Sequence, residues 1–177
     1  NFMGNELGEY REWDEKKSLG WEILKYTDHD AFHHYIKKLN EIYRKYPALY
    51  EEDYDYRGFE WLVVDDNEQS VFAIQRTDKQ GNKIVAVMNF VGNRHEKYKV
   101  PVNVEGSYKE ILNTDQDIYS GSHFINPRAI RSKKTKKKDR SPLVNKDHYI
   151  EVNIAPFSSM IFEVKPSKKK VVTKKEK

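Results

Sequence analysis

Carboxylates and imidazoles are the side chains here whose spacing suits chemistry, since both exchange protons near neutral pH. Glu6, Glu12 and Asp14 crowd one short stretch with Arg11 and Lys16 among them, the makings of an acid/base pair. In so acidic a loop these groups are ordinarily solvated or paired with basic neighbours, and no catalytic role is assigned to them. His29 and His33 stand four residues apart with His34 beside them, a spacing known from metal sites on helices. No carboxylate motif completes a ligand set, so they are read as surface histidines near a helix start; no metal and no cofactor is assigned. Tyr56, Trp61 and Phe72 offer a row of flat faces for a carbohydrate, but aromatic residues in strands more often fill a core, and that is the expectation here.

The elements that position these residues follow from periodicity. Residues 5–26 mix charges with Trp13, Leu19, Trp21 and Ile23 without a sustained period, which predicts a long structured loop. Phe32, Tyr35, Ile36, Leu39, Ile42 and Tyr43 recur on one helical face, so a helix is expected over residues 30–46. Asp28 and Asp30 suit its positive end, Arg44 and Lys45 its negative end, and Pro47 stops it. Beyond Gly58, β-branched and aromatic runs at 59–64, 70–76, 83–90, 97–104, 108–113, 149–154 and 159–164 alternate with turn residues, which predicts seven short antiparallel strands and a β-sandwich. Residues 121–147 break the rhythm with Gly, Pro and lysines and are expected to form a mobile excursion.

Charge divides the chain sharply. Residues 128–140 carry eight Lys or Arg against one Asp, and residues 165–177 seven Lys against one Glu; these contribute +7 and +6 to a total of +4, leaving −9 on the rest. An acidic body with two lysine-rich attachments lacks the continuous basic face of a dedicated nucleic-acid-binding fold, so nucleic acid is not an expected partner. The tail at 165–177 is expected to be disordered. No apolar run reaches the roughly 18 residues needed to cross a bilayer, so no membrane partner is expected. The absence of cysteine fits a reducing compartment, with the cytoplasm as the expected location.

The segment Phe2 Met3 Gly4 Asn5 Glu6 Leu7 Gly8, followed by Arg11 Glu12 Trp13 and Leu19 Gly20 Trp21, closely resembles the strand and loop near the end of the catalytic barrel in 1,4-alpha-glucan (glycogen) branching enzymes. The likeness continues through Phe32 His33, Tyr46 Pro47 Ala48 Leu49, Gly58 Phe59 Glu60 Trp61 and Val87 Met88 Asn89 Phe90. It runs on in Tyr108 Lys109 Glu110 Ile111 Leu112 Asn113 Thr114 Asp115, in Tyr119 Ser120 Gly121 Ser122, and in Ile154 Ala155 Pro156 Phe157 Ser158 Ser159.

The resemblance implies a division of the chain. Residues 1–57 would be the end of a (β/α)8 barrel of the alpha-amylase superfamily: the eighth strand's end, a loop on the active-site face, and the last helix. Residues 58–164 would be the C-terminal all-β domain. The family transfers α-1,4-glucan segments to a 6-hydroxyl by double displacement with a carboxylate nucleophile and a carboxyl acid/base, forming α-1,6 branches. Its three catalytic carboxylates follow the fourth, fifth and seventh barrel strands, so none is expected in this chain, which would not branch glucan alone. The implied partners are an α-glucan, such as glycogen or amylose, and an upstream barrel segment. Within the loop, Trp13 and Trp21 would pack against sugar rings while Glu6 and Arg11 hydrogen-bond hydroxyls. Glu9 stands where relatives often carry Gln, and the lysine-rich insertion in the β-domain is a second departure. A free-standing carbohydrate-binding β-domain is the alternative reading.

Overall fold

The computed structural model describes residues 3–167. Phe2 lies outside that range, and Met3 and Gly4, both at positive φ (45° and 94°), form a turn rather than the expected strand end. Two 3-10 turns, Asn5–Leu7 and Trp21–Lys25, bracket the loop, and helix α1 follows at Thr27–Lys45, three residues earlier than the periodicity implied. Its first turn holds Asp28 and Asp30 and its last Arg44 and Lys45, the arrangement that the helix dipole favours. Only Ala31 and Ile42 are buried on it, while Phe32 and Tyr43 of the apolar face are exposed. A 3-10 turn at Pro47–Leu49 then ties the helix end to the sheet: Arg76 Nε donates to the Ala48 carbonyl at 3.3 Å, and the Arg76 guanidinium pairs with Asp53.

Among the described residues, nine strands build two antiparallel sheets. Strands β1 (Phe59–Asp66), β2 (Val71–Thr77), β3 (Lys83–Asn89), β4 (His95–Val102) and β5 (Gly106–Asn113) come first; the two-residue β6 (Ile130–Arg131) and β7 (Lys133–Lys134) and then β8 (His148–Ile154) and β9 (Ser159–Pro166) complete them. One sheet has the order β1-β2-β3-β9-β5-β6 and the other β4-β8-β7. The expected β-sandwich is the fold observed, with both sheets contributing to one core. Alternation explains it: Val71 and Ala73, Val85 and Val87, Val100 and Val102, Ile150 and Val152, and Met160 and Phe162 all turn inward and are buried. Each of these side chains larger than alanine contributes about 1.5–3 kcal/mol when removed from water.

Two family-like motifs interlock where β3 ends and β9 begins. Asn89 Nδ2 donates to the carbonyls of Asn93 (2.7 Å) and Ala155 (2.8 Å), and Asn89 Oδ1 accepts from Val91 N–H at 3.1 Å. Phe157 N–H donates to the Val91 carbonyl, which closes the clasp. A buried amide thus satisfies backbone groups that no strand could pair.

The excursion departs from expectation. Residues 121–147 pack as a strap: β6 pairs with β5 and β7 with β8, so the segment crosses from the rim of one sheet to the rim of the other. Asn126, Thr135 and Val144 are buried along it. Asn126 Nδ2 donates to Glu110 Oε2 (2.8 Å) and to the Asn153 carbonyl (3.0 Å), while its Oδ1 accepts from Asn153 N–H (2.9 Å). These bonds outweigh the local preference of a lysine-rich sequence for solvent. The expected tail also begins later than residue 165, since Lys165 and Pro166 belong to β9; residues 168–177 lie outside the described range.

Candidate functional site

One carboxylate draws the two arms of the loop between Gly4 and Tyr26 together. Glu9, largely buried, accepts the Gly20 N–H through Oε1 and lies 3.9 Å from the Arg11 guanidinium. A Cβ at Gly20 would stand 2.4 Å from that same oxygen and 3.0 Å from Arg11 Nη2, so glycine is what lets residues 9, 11 and 20 meet. Asp14 forms a separate small turn, accepting from Lys16 N–H at 3.0 Å and pairing with Lys17 at 3.2 Å. Glu9 rather than Glu6, Glu12 or Asp14 therefore organises the loop. Gly20 is the residue whose lack of a side chain permits this approach.

Two shallow recesses flank this cinch and share Glu9 and Arg11. The smaller, about 160 Å³, is lined by Arg11, Trp13, Asp14, Lys17 and Leu19. The larger, about 320 Å³, is lined by Tyr10, Arg11, Gly20, Glu22, Ile23 and Tyr26. Arg11 and Trp13 of the expected set are thus brought to one depression. Trp13 is 42% and Trp21 53% exposed, and Trp21 opens the 3-10 turn on the far side of Gly20. Glu6 is set apart: it is half-buried in the first 3-10 turn, and its carbonyl accepts from His33 Nδ1 at 3.2 Å.

The histidines are braces. His29 Nδ1 reaches the Leu7 carbonyl at 2.9 Å, and its Nε2 meets the Tyr10 hydroxyl at 3.0 Å, with the two rings edge to face at 5.0 Å. A carbonyl can only accept, so Nδ1 of both His29 and His33 carries the proton. His34 turns back to the Asp30 carbonyl of its own helix at 2.8 Å. Half-buried His29 and His33 thereby fasten the loop to α1, a structural use that the surface reading missed.

A second clamp joins α1 to the sandwich. Tyr119 packs edge to face on Tyr35 at 5.5 Å, and Ser120 Oγ donates to Asp28 at 3.0 Å. Asp115 holds the following turn by accepting from Ser122 N–H, Ser122 Oγ and Phe124 N–H. Gly121 is required because a Cβ there would lie 2.3 Å from the Asp115 backbone. Beneath it, Glu110 is half-buried and accepts from Asn113 Nδ2, Asn126 N–H and Asn126 Nδ2, and burial raises its carboxyl above the ordinary range.

The strand aromatics contradict the core expectation. Phe59, Trp61, Phe72 and Phe90 form a row on the outer face of the larger sheet, with successive ring centroids 5.3, 6.2 and 5.5 Å apart. Trp61 is 47% exposed and Phe90 61%. The cause is alternation: Leu62 and Val71 take the inward positions of β1 and β2, which leaves Trp61 and Phe72 outside. Tyr56 stands apart in a preceding 3-10 turn. Beside Trp61 runs a recess of about 580 Å³ lined by Asp65, Glu68, Gln69, Leu143 and Asn145.

Comparison with known proteins fits this architecture. Residues 61–165, from Trp61 through the strap to β9, match the family described as "Alpha amylase, C-terminal all-beta domain". The chain belongs to this family. The alpha-amylase C-terminal all-beta domain accounts for both sheets, while the loop and α1 precede it. Over 163 residues the chain is 38% identical to "1,4-alpha-glucan branching enzyme GlgB" of Rhizobium meliloti (strain 1021), a match covering 92% of this chain and 21% of that protein. The chain thus spans about a fifth of the length of this curated relative. Among solved structures, the catalytic module of the multi-modular glycogen-degrading pneumococcal virulence factor SpuA, in complex with an inhibitor, shares the fold (TM-score 0.53, 12% identity, 85% of this chain, 20% of that one). A product complex of SpuA gives a TM-score of 0.50 at 13% identity, covering 85% of this chain and 15% of that one.

Proposed function

We propose that this chain acts as the C-terminal portion of a 1,4-alpha-glucan branching enzyme, with residues 1–57 completing a catalytic barrel and residues 58–164 supporting it. The 38% identity across 92% of the chain to GlgB carries this reading, because it extends through the loop and α1 beyond the all-β domain. The enzyme would transfer α-1,4-glucan segments to form α-1,6 branches. Its catalytic carboxylates would come from upstream barrel strands, so the chain alone would be inactive. Cysteine-free composition supports placement in the cytoplasm.

In this reading Glu6, Arg11, Trp13 and Trp21 contact glucan from the loop, the indoles packing against sugar rings and Glu6 and Arg11 hydrogen-bonding hydroxyls. The exposure of both indoles and the fixed Glu9–Gly20 cinch support that role. The test is loss of the iodine complex of amylose, measured for the chain alone and after mixing with the upstream barrel segment of a relative. Activity only in the mixture supports the proposal; activity of the chain alone would overturn the assignment of catalysis upstream.

A carbohydrate-binding role of the β-domain by itself is the second reading, favoured by the exposed Phe59–Trp61–Phe72–Phe90 row and its adjoining recess. Retardation of residues 58–167 in an amylose-containing gel, abolished by Trp61→Ala, is the expected result. Unretarded migration of a folded domain rejects it.

A further inference from the structure

The strap concentrates cations beside few free carboxylates. Of the eight Lys and Arg in residues 128–140, Lys133 pairs with Glu151 at 2.7 Å and Arg140 with Asp147 at 2.8 Å. The strap's own Asp139 is already taken by Lys99 of β4 at 2.8 Å, and that hydrogen bond holds the carboxyl below its ordinary range. Arg128, Arg131, Lys134, Lys136, Lys137 and Lys138 remain, all exposed, and among the described residues none of these six makes an ion pair. Asp139, Glu151 and Asp147 are each already paired, with Lys99, Lys133 and Arg140, and the six remaining like charges stand along the strap at one edge of the sandwich.

The edge is also rigid. β6 and β7 pair with two different sheets, Ser132 Oγ accepts the Gly106 N–H at 2.9 Å, and Thr135 N–H donates to the Asp147 carbonyl at 2.8 Å. Such preorganisation removes the ordering cost that a flexible lysine tail would incur on binding. Repulsion among the six charges is relieved by an anion. No aromatic residue occurs in residues 128–140, so bases have nothing to stack on, and no apolar wedge is present for a lipid surface. Four of the six are lysines, which read phosphate as point charge rather than as a planar fork.

We infer that this edge is a docking surface for a linear phosphate polyanion recognised by charge alone, with inorganic polyphosphate as the ligand that fits. Two variants test it in the full chain. One replaces the six strap cations (R128Q, R131Q, K134Q, K136Q, K137Q, K138Q), and the other the six lysines of residues 168–177 (K168Q, K169Q, K170Q, K174Q, K175Q, K177Q). Binding of fluorescent inorganic polyphosphate is followed by anisotropy at several salt concentrations, with a single-stranded DNA of equal charge as competitor. The unmodified chain is expected to bind with log K falling by about 4 per decade of salt, from about −0.7 for each of six phosphates. The strap variant should lose at least about tenfold in affinity at low salt and most of that slope, with its circular dichroism unchanged; the tail variant should retain both. Undiminished binding by the strap variant, loss confined to the tail variant, no binding at low salt, or preferential binding of the DNA would each overturn the inference.

Discussion

Residues 59–166 cohere through alternating apolar side chains that meet from two sheets, whereas the buried hydrophobic side chains of residues 3–49 are Leu7, Ala31, Ile42 and Ala48 alone, and the segment depends on single polar braces. Glu9 to Gly20, His29 to Leu7 and His33 to Glu6 each secure a separate piece of backbone. The difference teaches how each region should fail. A packed core loses stability cooperatively, while a braced loop opens locally at little cost to the remainder.

Phe162 lies at the centre of the larger sheet and is fully buried. Phe162→Ala should cost about 3–5 kcal/mol and lower the urea midpoint of the whole sandwich. A loss below about 1 kcal/mol would mean that the core does not hold this region as described.

Glu110 lies between the two regimes, since it is a polar brace placed under the strap. Glu110→Ala should cost about 1–3 kcal/mol by leaving the Asn113 and Asn126 donors without an acceptor. Because burial raises the folded-state pKa above the unfolded value, the native state binds more protons than the unfolded chain. Stability from this group is complete below the ordinary glutamate range and is lost as pH rises through the raised folded value. Glu110→Gln should therefore flatten the pH dependence of the urea midpoint just above the ordinary glutamate range; an unchanged slope there would contradict the assignment.

Glu9→Ala should act on the loop alone. Hydrogen exchange at the Gly20 amide should quicken by an amount equivalent to about 1–3 kcal/mol of local opening, while the global urea midpoint stays in place. Glu9→Gln keeps an acceptor oxygen and should restore most of the protection. A global shift with Glu9→Ala would erase the distinction between the two regions.

The smallest effect is expected at Trp21, 53% exposed. Trp21→Ala should change stability by less than about 0.5 kcal/mol while weakening glucan affinity in the complemented enzyme. Unaltered affinity would remove this residue from the proposed contact set.

Legibility in the sequence followed the same divide. Strand positions were readable because a period of two is a local signal, as at Val85 and Val87, and α1 was readable from its apolar face and its stop at Pro47. The outward placement of Trp61 and Phe72 was not, because alternation fixes which residues share a face but not which face is covered. The strap escaped because its order comes from distant partners: Asn126 is held by Glu110 and Asn153, and β6 and β7 each need another strand. The site was legible as a segment rather than as an arrangement. Arg11 and Trp13 do share a depression, but Glu9 became visible only once Gly20 had been folded back onto it.

The join between β6 and β7 also fixes a dimension. Only Ser132 separates Arg131, in one sheet, from Lys133, in the other. Two peptide units span at most about 7 Å, whereas stacked sheets ordinarily lie about 10 Å apart. The sandwich must therefore taper toward this corner, where its profile approaches that of a barrel on the verge of closure. Lengthening the join by a residue would be the way to let that corner relax toward parallel walls.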